Sequence, residues 1–103
     1  MVALISVLKA LSNPNRMRVF LIIWRRAMKG GPGITVGQIC ARAKMKQPAV
    51  SHHVMTLDSA GLVDRKKSRW WVHCLPSQDG LSVLRRFVKD PAAFSEKQIH
   101  RTP

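Results

Sequence analysis

Thr35-Val36-Gly37-Gln38-Ile39-Cys40-Ala41-Arg42-Ala43-Lys44-Met45-Lys46-Gln47-Pro48-Ala49-Val50-Ser51-His52-His53-Val54 holds two helical patterns either side of a tight basic turn. Thr35 caps the first, which runs from Val36 to Ala43. Lys44-Met45-Lys46 makes the turn. The second helix runs from about Gln47 to Ala60, with Pro48 in its first turn and Gly61 at the left-handed position past its end. Val50, Val54 and Leu57 recur at i, i+4 and i+7, so one face of this helix is buried. Its N-terminal Lys46, Gln47, Ala49, Ser51 and His52 are polar or small, as an outward face requires.

Upstream, Val2 to Leu11 reads as a short helix with Leu4, Val7, Leu8 and Leu11 on one face. Ser12-Asn13-Pro14 stops it and caps the next helix, which runs to about Lys29 and turns Met17, Phe20, Leu21 and Trp24 inward. Arg16, Arg18, Arg25 and Arg26 occupy the rest of that helix. Gly30-Gly31-Pro32-Gly33 ends it.

Downstream the texture changes from helix to strand. Leu62-Val63 begins one strand, and Trp70-Trp71-Val72-His73-Cys74-Leu75 is a second, rich in aromatic and β-branched residues. Asp64-Arg65-Lys66-Lys67-Ser68-Arg69 reads as the basic tip that joins them, with no glycine to define its turn. Successive strand residues face opposite ways, so at least one of Trp70 and Trp71 is expected in the core, and His73 reads as structural. Pro76 to Gly80 reads as a loop. Leu81 to about Lys89 is a last helix with Leu81, Leu84, Phe87 and Val88 on one side, ended by Asp90-Pro91. Residues 1–94 make one domain, and 95–103 read as a polar tail.

Charge narrows the partner. The 103 residues carry 18 Lys and Arg against five acids, a net charge of +13, and no acid precedes Asp58. A field this positive selects polyanions. Hydrophobic residues make up 46% of the chain, which excludes a disordered basic tail. No stretch reads as a membrane span or export signal, so a cytoplasmic protein is expected. Cys40 and Cys74 lack the spacing of a redox pair and read as reduced thiols, Cys40 facing the core. Neither a phosphate-binding loop nor a catalytic constellation is present, so no enzyme is expected.

Two short helices across a tight turn, followed by a basic hairpin, is the order of a winged helix-turn-helix, an α+β fold that is mostly α. In such a pair the second helix offers its N-terminal residues to base edges in the major groove. That places Lys46, Gln47, Ala49, Ser51 and His52 on bases, and Arg65, Lys66, Lys67 and Arg69 near phosphates or the minor groove. Thr35, Lys44 and Thr56 complete the DNA-binding set. His53 reads as partly packed and able to reach a phosphate.

The motifs also carry a resemblance. Leu8-Lys9-Ala10-Leu11-Ser12-Asn13-Pro14-Asn15-Arg16-Met17-Arg18-Val19 resembles the N-terminal signature of the ArsR/SmtB repressor family, and Gln47-Pro48-Ala49-Val50-Ser51-His52-His53-Val54 is similar to that family's recognition helix. Gly61-Leu62-Val63 and Trp71-Val72-His73 resemble its wing. The resemblance implies a homodimer joined through its first and last helices, here Val2 to Leu11 and Leu81 to Lys89. It also implies repression at a palindromic operator, and a place for Arg16 near the DNA backbone. The family's metal sites do not carry over. Thr35 and Gly37 stand where one site has cysteines, and Leu81 to Lys89 lacks the Asp and His of another, so neither metal nor other cofactor is expected. Two readings compete with a sequence-specific repressor. One is a nucleoid protein of low specificity. The other is an RNA-binding module, for which no aromatic platform or GXXG loop is visible.

Overall fold

The side chain of Asn13 accepts a hydrogen bond from the Arg16 amide at 3.0 Å, and Pro14 follows it as the first helical residue. This cap fixes where the central helix starts in the computed structural model, which describes residues 3–94. The elements are α1 (Leu4–Leu11), α2 (Pro14–Met28), β1 (Ile34–Thr35), α3 (Val36–Ala43), α4 (Gln47–Ser59), β2 (Val63–Ser68), β3 (Trp71–Pro76) and α5 (Gln78–Lys89), followed by a 3-10 turn at Pro91–Ala93. Val2 and the expected tail at 95–103 lie outside the described residues.

The α3–α4 pair follows from its caps. Thr35 Oγ1 accepts from the Gln38 amide at 3.2 Å while Gln38 Oε1 accepts from the Thr35 amide at 3.0 Å, a reciprocal capping box. Lys44 ends α3 in the left-handed conformation at φ 55°. Gly61 does the same for α4 at φ 76°. There the Leu62 amide donates to Leu57 and the Gly61 amide to Asp58, the paired bonds of a Schellman motif.

The three strands form an antiparallel sheet in the order β1-β3-β2. Ile34 and Arg65 both lie opposite Cys74. The core gathers Val7 and Ala10 of α1, Val19, Phe20 and Ile23 of α2, Ile39 of α3, and Val50, Val54 and Leu57 of α4. Ile34, Leu62, Val63 and Cys74 close it from the sheet side. Cys40 packs partly against this core, as its place on α3 suggested. Among the described residues no helix is long and apolar enough to cross a membrane.

Several expectations need correction. On α2 the buried positions are Val19, Phe20 and Ile23; Leu21 and Trp24 face inward but pack only partly buried against the core, and Met17 is partly buried. The stripe is rotated because α1, α3, α4 and β3 all pack on this helix. β1 was not anticipated; two residues form a strand only because β3 lies beside them. The stretch Asp64–Ser68 is not a tip but the body of β2. It is polar on both faces because the ribbon runs out beyond the core. The turn is Arg69-Trp70, closed by the pair Ser68 and Trp71, with Arg69 at φ 53° in place of a glycine. Neither tryptophan is core: Trp70 is 89% exposed and Trp71 61%. Pro76–Gly80 is not a loop either. Pro76 ends β3, and Ser77 caps an α5 that starts at Gln78 by accepting from the Asp79 amide. Gly80 is buried against Gly61, and its amide donates to the Gly61 carbonyl at 2.6 Å. On α5, Leu81, Leu84 and Phe87 are only half-covered and Val88 is 73% exposed. On α1, Leu8 is exposed as well.

Candidate nucleic-acid interface

Helix α4 is anchored by Val50, Val54 and Leu57, none more than 1% exposed. At about 100° per residue, this stripe decides what faces out. Lys46, Gln47, Pro48, Ala49 and His52 are exposed, and Ser51 is half-buried. Met55 is exposed too, one turn beyond His52 on the outward side. Pro48 and Met55 are further outward positions, which the buried stripe by itself excludes from the core. Arg42 is likewise exposed, on α3.

The turn carries Lys44 and Lys46, both exposed, directly before Gln47. Thr35 begins the other helix of the pair, with its hydroxyl committed to the capping box. Thr56 is half-buried and donates to the His52 carbonyl at 3.1 Å. Arg16 is half-buried. Its Nε donates to the Ala10 carbonyl at 2.6 Å and its Nη2 to the Lys9 carbonyl at 3.1 Å, so its guanidinium satisfies the C-terminal carbonyls of α1. Arg18 does the same for α3 through the Ala43 carbonyl at 3.0 Å. Arg16 and Thr56 share a cleft of about 380 Å³ between α1, α2 and α4. Thr56 lies nine residues past Gln47, or about 13 Å along the helix axis, so this pair stands apart from the helix N-terminus.

The ribbon supplies the remaining cations. Arg65, Lys66 and Lys67 line a groove of about 480 Å³ beside α4 together with Asp58, Asp64 and Val72. Arg65 and Lys67 share the face that leads into the core through Cys74; Lys66 lies on the opposite face with Trp71 and His73. Arg65 Nε donates to Asp58 Oδ2 at 2.8 Å, which ties the ribbon to α4. Arg69 stands exposed at the turn.

Among the described residues, two titratable groups are perturbed. Burial, then the charge of Arg16 and then that of His52, push His53 below its usual value. Its Nδ1 is buried without a hydrogen-bond partner among the described residues. Burial raises the Cys74 thiol, against the pull of Arg65 and with a small push from Asp58, so it stays protonated. Among the described residues no three of His, Cys, Asp or Glu gather as metal ligands.

A family described as a helix-turn-helix domain matches residues 11–66, more than half of the chain. No curated protein sequence matches it. Solved structures do. Reduced HlyU from Vibrio cholerae shares 21% identity over 86% of this chain and 87% of its own, with a TM-score of 0.63. An ArsR family transcriptional regulator shares 17% identity over 85% of this chain and 84% of its own, with a TM-score of 0.68. A homodimeric winged helix-turn-helix DNA-binding domain from Mycobacterium bovis, described as a possible ArsR-family regulator, shares 19% identity over 95% of this chain and 85% of its own, with a TM-score of 0.64. The capped α3–α4 pair falls inside the matched stretch, and the ribbon and flanking helices complete the architecture of those structures. The chain belongs to the helix-turn-helix domain family, and its fold is the winged helix-turn-helix of those solved structures.

Proposed function

We propose that this regulator is a homodimeric repressor that reads a palindromic operator in double-stranded DNA. The observation that carries the reading is the α4 N-terminus: Lys46, Gln47, Ala49 and His52 stand exposed on a helix whose other face is locked into the core. Gln47 and Ser51 take base edges, with His52 beside them. Lys44, Lys66, Lys67 and Arg69 take phosphates. Arg65 serves first to hold the ribbon against α4 through Asp58, and Arg16 first to close α1; any backbone contact they make is secondary to those bonds. Thr35 positions the pair by capping α3.

The dimer reading is supported by the terminal helices. Leu8, Leu81, Phe87 and Val88 leave apolar surface on α1 and α5 that one protomer does not cover. A second copy covers it in a two-fold arrangement, which demands a two-fold operator.

The net charge of +13 also favours a second reading, a nucleoid protein with little sequence preference. Selection of bound duplexes from a random pool separates the two. An enriched inverted repeat with half-site centres roughly 34 Å apart, or a multiple of that, supports the repressor. A flat profile rejects it in favour of the nucleoid reading.

A further inference from the structure

The ribbon ends in a tryptophan that the fold does not use. Trp70 sits at the two-residue turn and is 89% exposed, and Trp71 and Val72 beside it are 61% and 41% exposed. Tryptophan is on average among the more buried residue types, and an indole of this size left in water forgoes burial that most proteins take. The residues around these three are basic or polar. Arg69 precedes Trp70 in the turn, Lys67 lies opposite Val72, and Lys66 lies next along the face of Trp71. The ribbon's two six-residue strands reach about 20 Å, and every residue of β2 past Val63 is exposed. The result is an apolar point on a basic arm, whose root is tied to α4 by the Asp58–Arg65 bridge.

We infer that Trp70 is a wedge: the arm's cations seat it in the minor groove, where the indole enters between two base pairs and kinks the duplex. This rests on the double-stranded DNA reading above and adds to it a deformation of the DNA. The charge around the tip fits the groove's phosphate walls, and apolar side chains that enter a minor groove unstack a step and bend the helix. Flexible pyrimidine–purine steps yield most easily, so the wedge also contributes preference at a position where no hydrogen bond reads a base.

The test compares the full chain with Trp70→Ala and Trp70→Phe on a duplex of about 30 base pairs, labelled at both ends and carrying the best site selected from a random pool. Anisotropy gives affinity and end-to-end energy transfer gives bending. An exposed turn residue can be changed without disturbing the core, so loss of binding is not loss of fold. The wild type shortens the end-to-end distance. Trp70→Ala binds roughly tenfold more weakly, leaves the duplex straight and keeps the salt dependence, since no cation has been removed. Trp70→Phe keeps most of both effects. Equal affinity and equal bending for Trp70→Ala overturn the wedge while leaving the DNA reading intact. A wild type that binds no duplex defeats the DNA reading itself. A parallel arm uses phosphatidylglycerol vesicles: tip-dependent vesicle binding, with Trp70→Ala bending DNA as the wild type does, assigns the tip to a lipid surface and overturns the wedge.

Discussion

Asp58 Oδ2 accepts a hydrogen bond from Arg65 Nε at 2.8 Å, and this pair joins the last turn of α4 to the root of the ribbon. Both side chains are exposed, so solvent screens most of the attraction, and exposed pairs of this kind contribute about 0–1 kcal/mol. Asp58→Ala is therefore expected to lower unfolding stability by less than about 1 kcal/mol, with the difference vanishing at high salt. Urea unfolding at low and high salt checks this. A loss well above that range would mean that the bridge supports the fold and not only the ribbon's angle.

His53 gives the pH dependence a sign. Its folded pKa lies below the usual 6.5 because burial, Arg16 and His52 all disfavour the imidazolium. Its contribution is complete above the unfolded value and is lost as pH falls below about 6.5, where only the unfolded state readily takes up a proton. Stability is expected to fall on acidification through that window. His53→Gln should flatten the slope there, measured by urea unfolding from about pH 7.5 to about pH 5.5. An unchanged slope in the variant assigns the effect to other groups.

Gly80 is constrained by a close approach. A Cβ at this position would stand 2.8 Å from the Gly61 carbonyl oxygen and 3.0 Å from its carbon. Backbone cannot swing aside as a side chain does, so Gly80→Ala forces α5 away from the ribbon's root. Alanine gains about 1 kcal/mol of helix propensity over glycine, while overpacking costs about 1–3 kcal/mol. The net is expected to be destabilising by up to about 2 kcal/mol, read from the urea midpoint. A stabilised variant would show that α5 can re-dock freely.

The parts of the fold legible in the sequence are those with local chemistry. Thr35 sets the start of α3, and Asn13-Pro14 and Gly61 set the start of α2 and the end of α4, because caps act within a turn of themselves. What the sequence hid depends on distant partners. Ile34–Thr35 becomes a strand only beside β3. Arg69 adopts a left-handed turn without the glycine that would announce it. Trp70 and Trp71 match a core strand in composition, yet the ribbon carries them past the core. The exposed face of α4 followed directly from Val50, Val54 and Leu57. The bonds that occupy Arg16 and Arg65 did not, since each depends on how another element docks.

The terminal helices predict the assembly. Light scattering at about micromolar concentration is expected to give the mass of a dimer. Leu8→Glu with Val88→Glu places charge on surface that one protomer leaves open, so the double variant is expected to be a helical monomer, checked by circular dichroism alongside the mass. A double variant that remains dimeric moves the interface away from α1 and α5.

Base contacts and backbone contacts are expected to separate by mutation. Gln47 stands exposed in the first turn of α4, where an amide can pair bidentately with adenine, a contact that contributes about 1–3 kcal/mol of discrimination. Lys67 is an exposed cation of β2; in the proposed complex it meets phosphate, a contact that carries no sequence information. Gln47→Ala should weaken the selected operator far more than scrambled duplex and leave the salt slope alone. Lys67→Ala should weaken both duplexes alike and reduce the magnitude of the slope by about one. The measurement is affinity for the two duplexes at several salt concentrations. If the two variants give the same profile, α4 does not read bases, and charge alone binds the DNA.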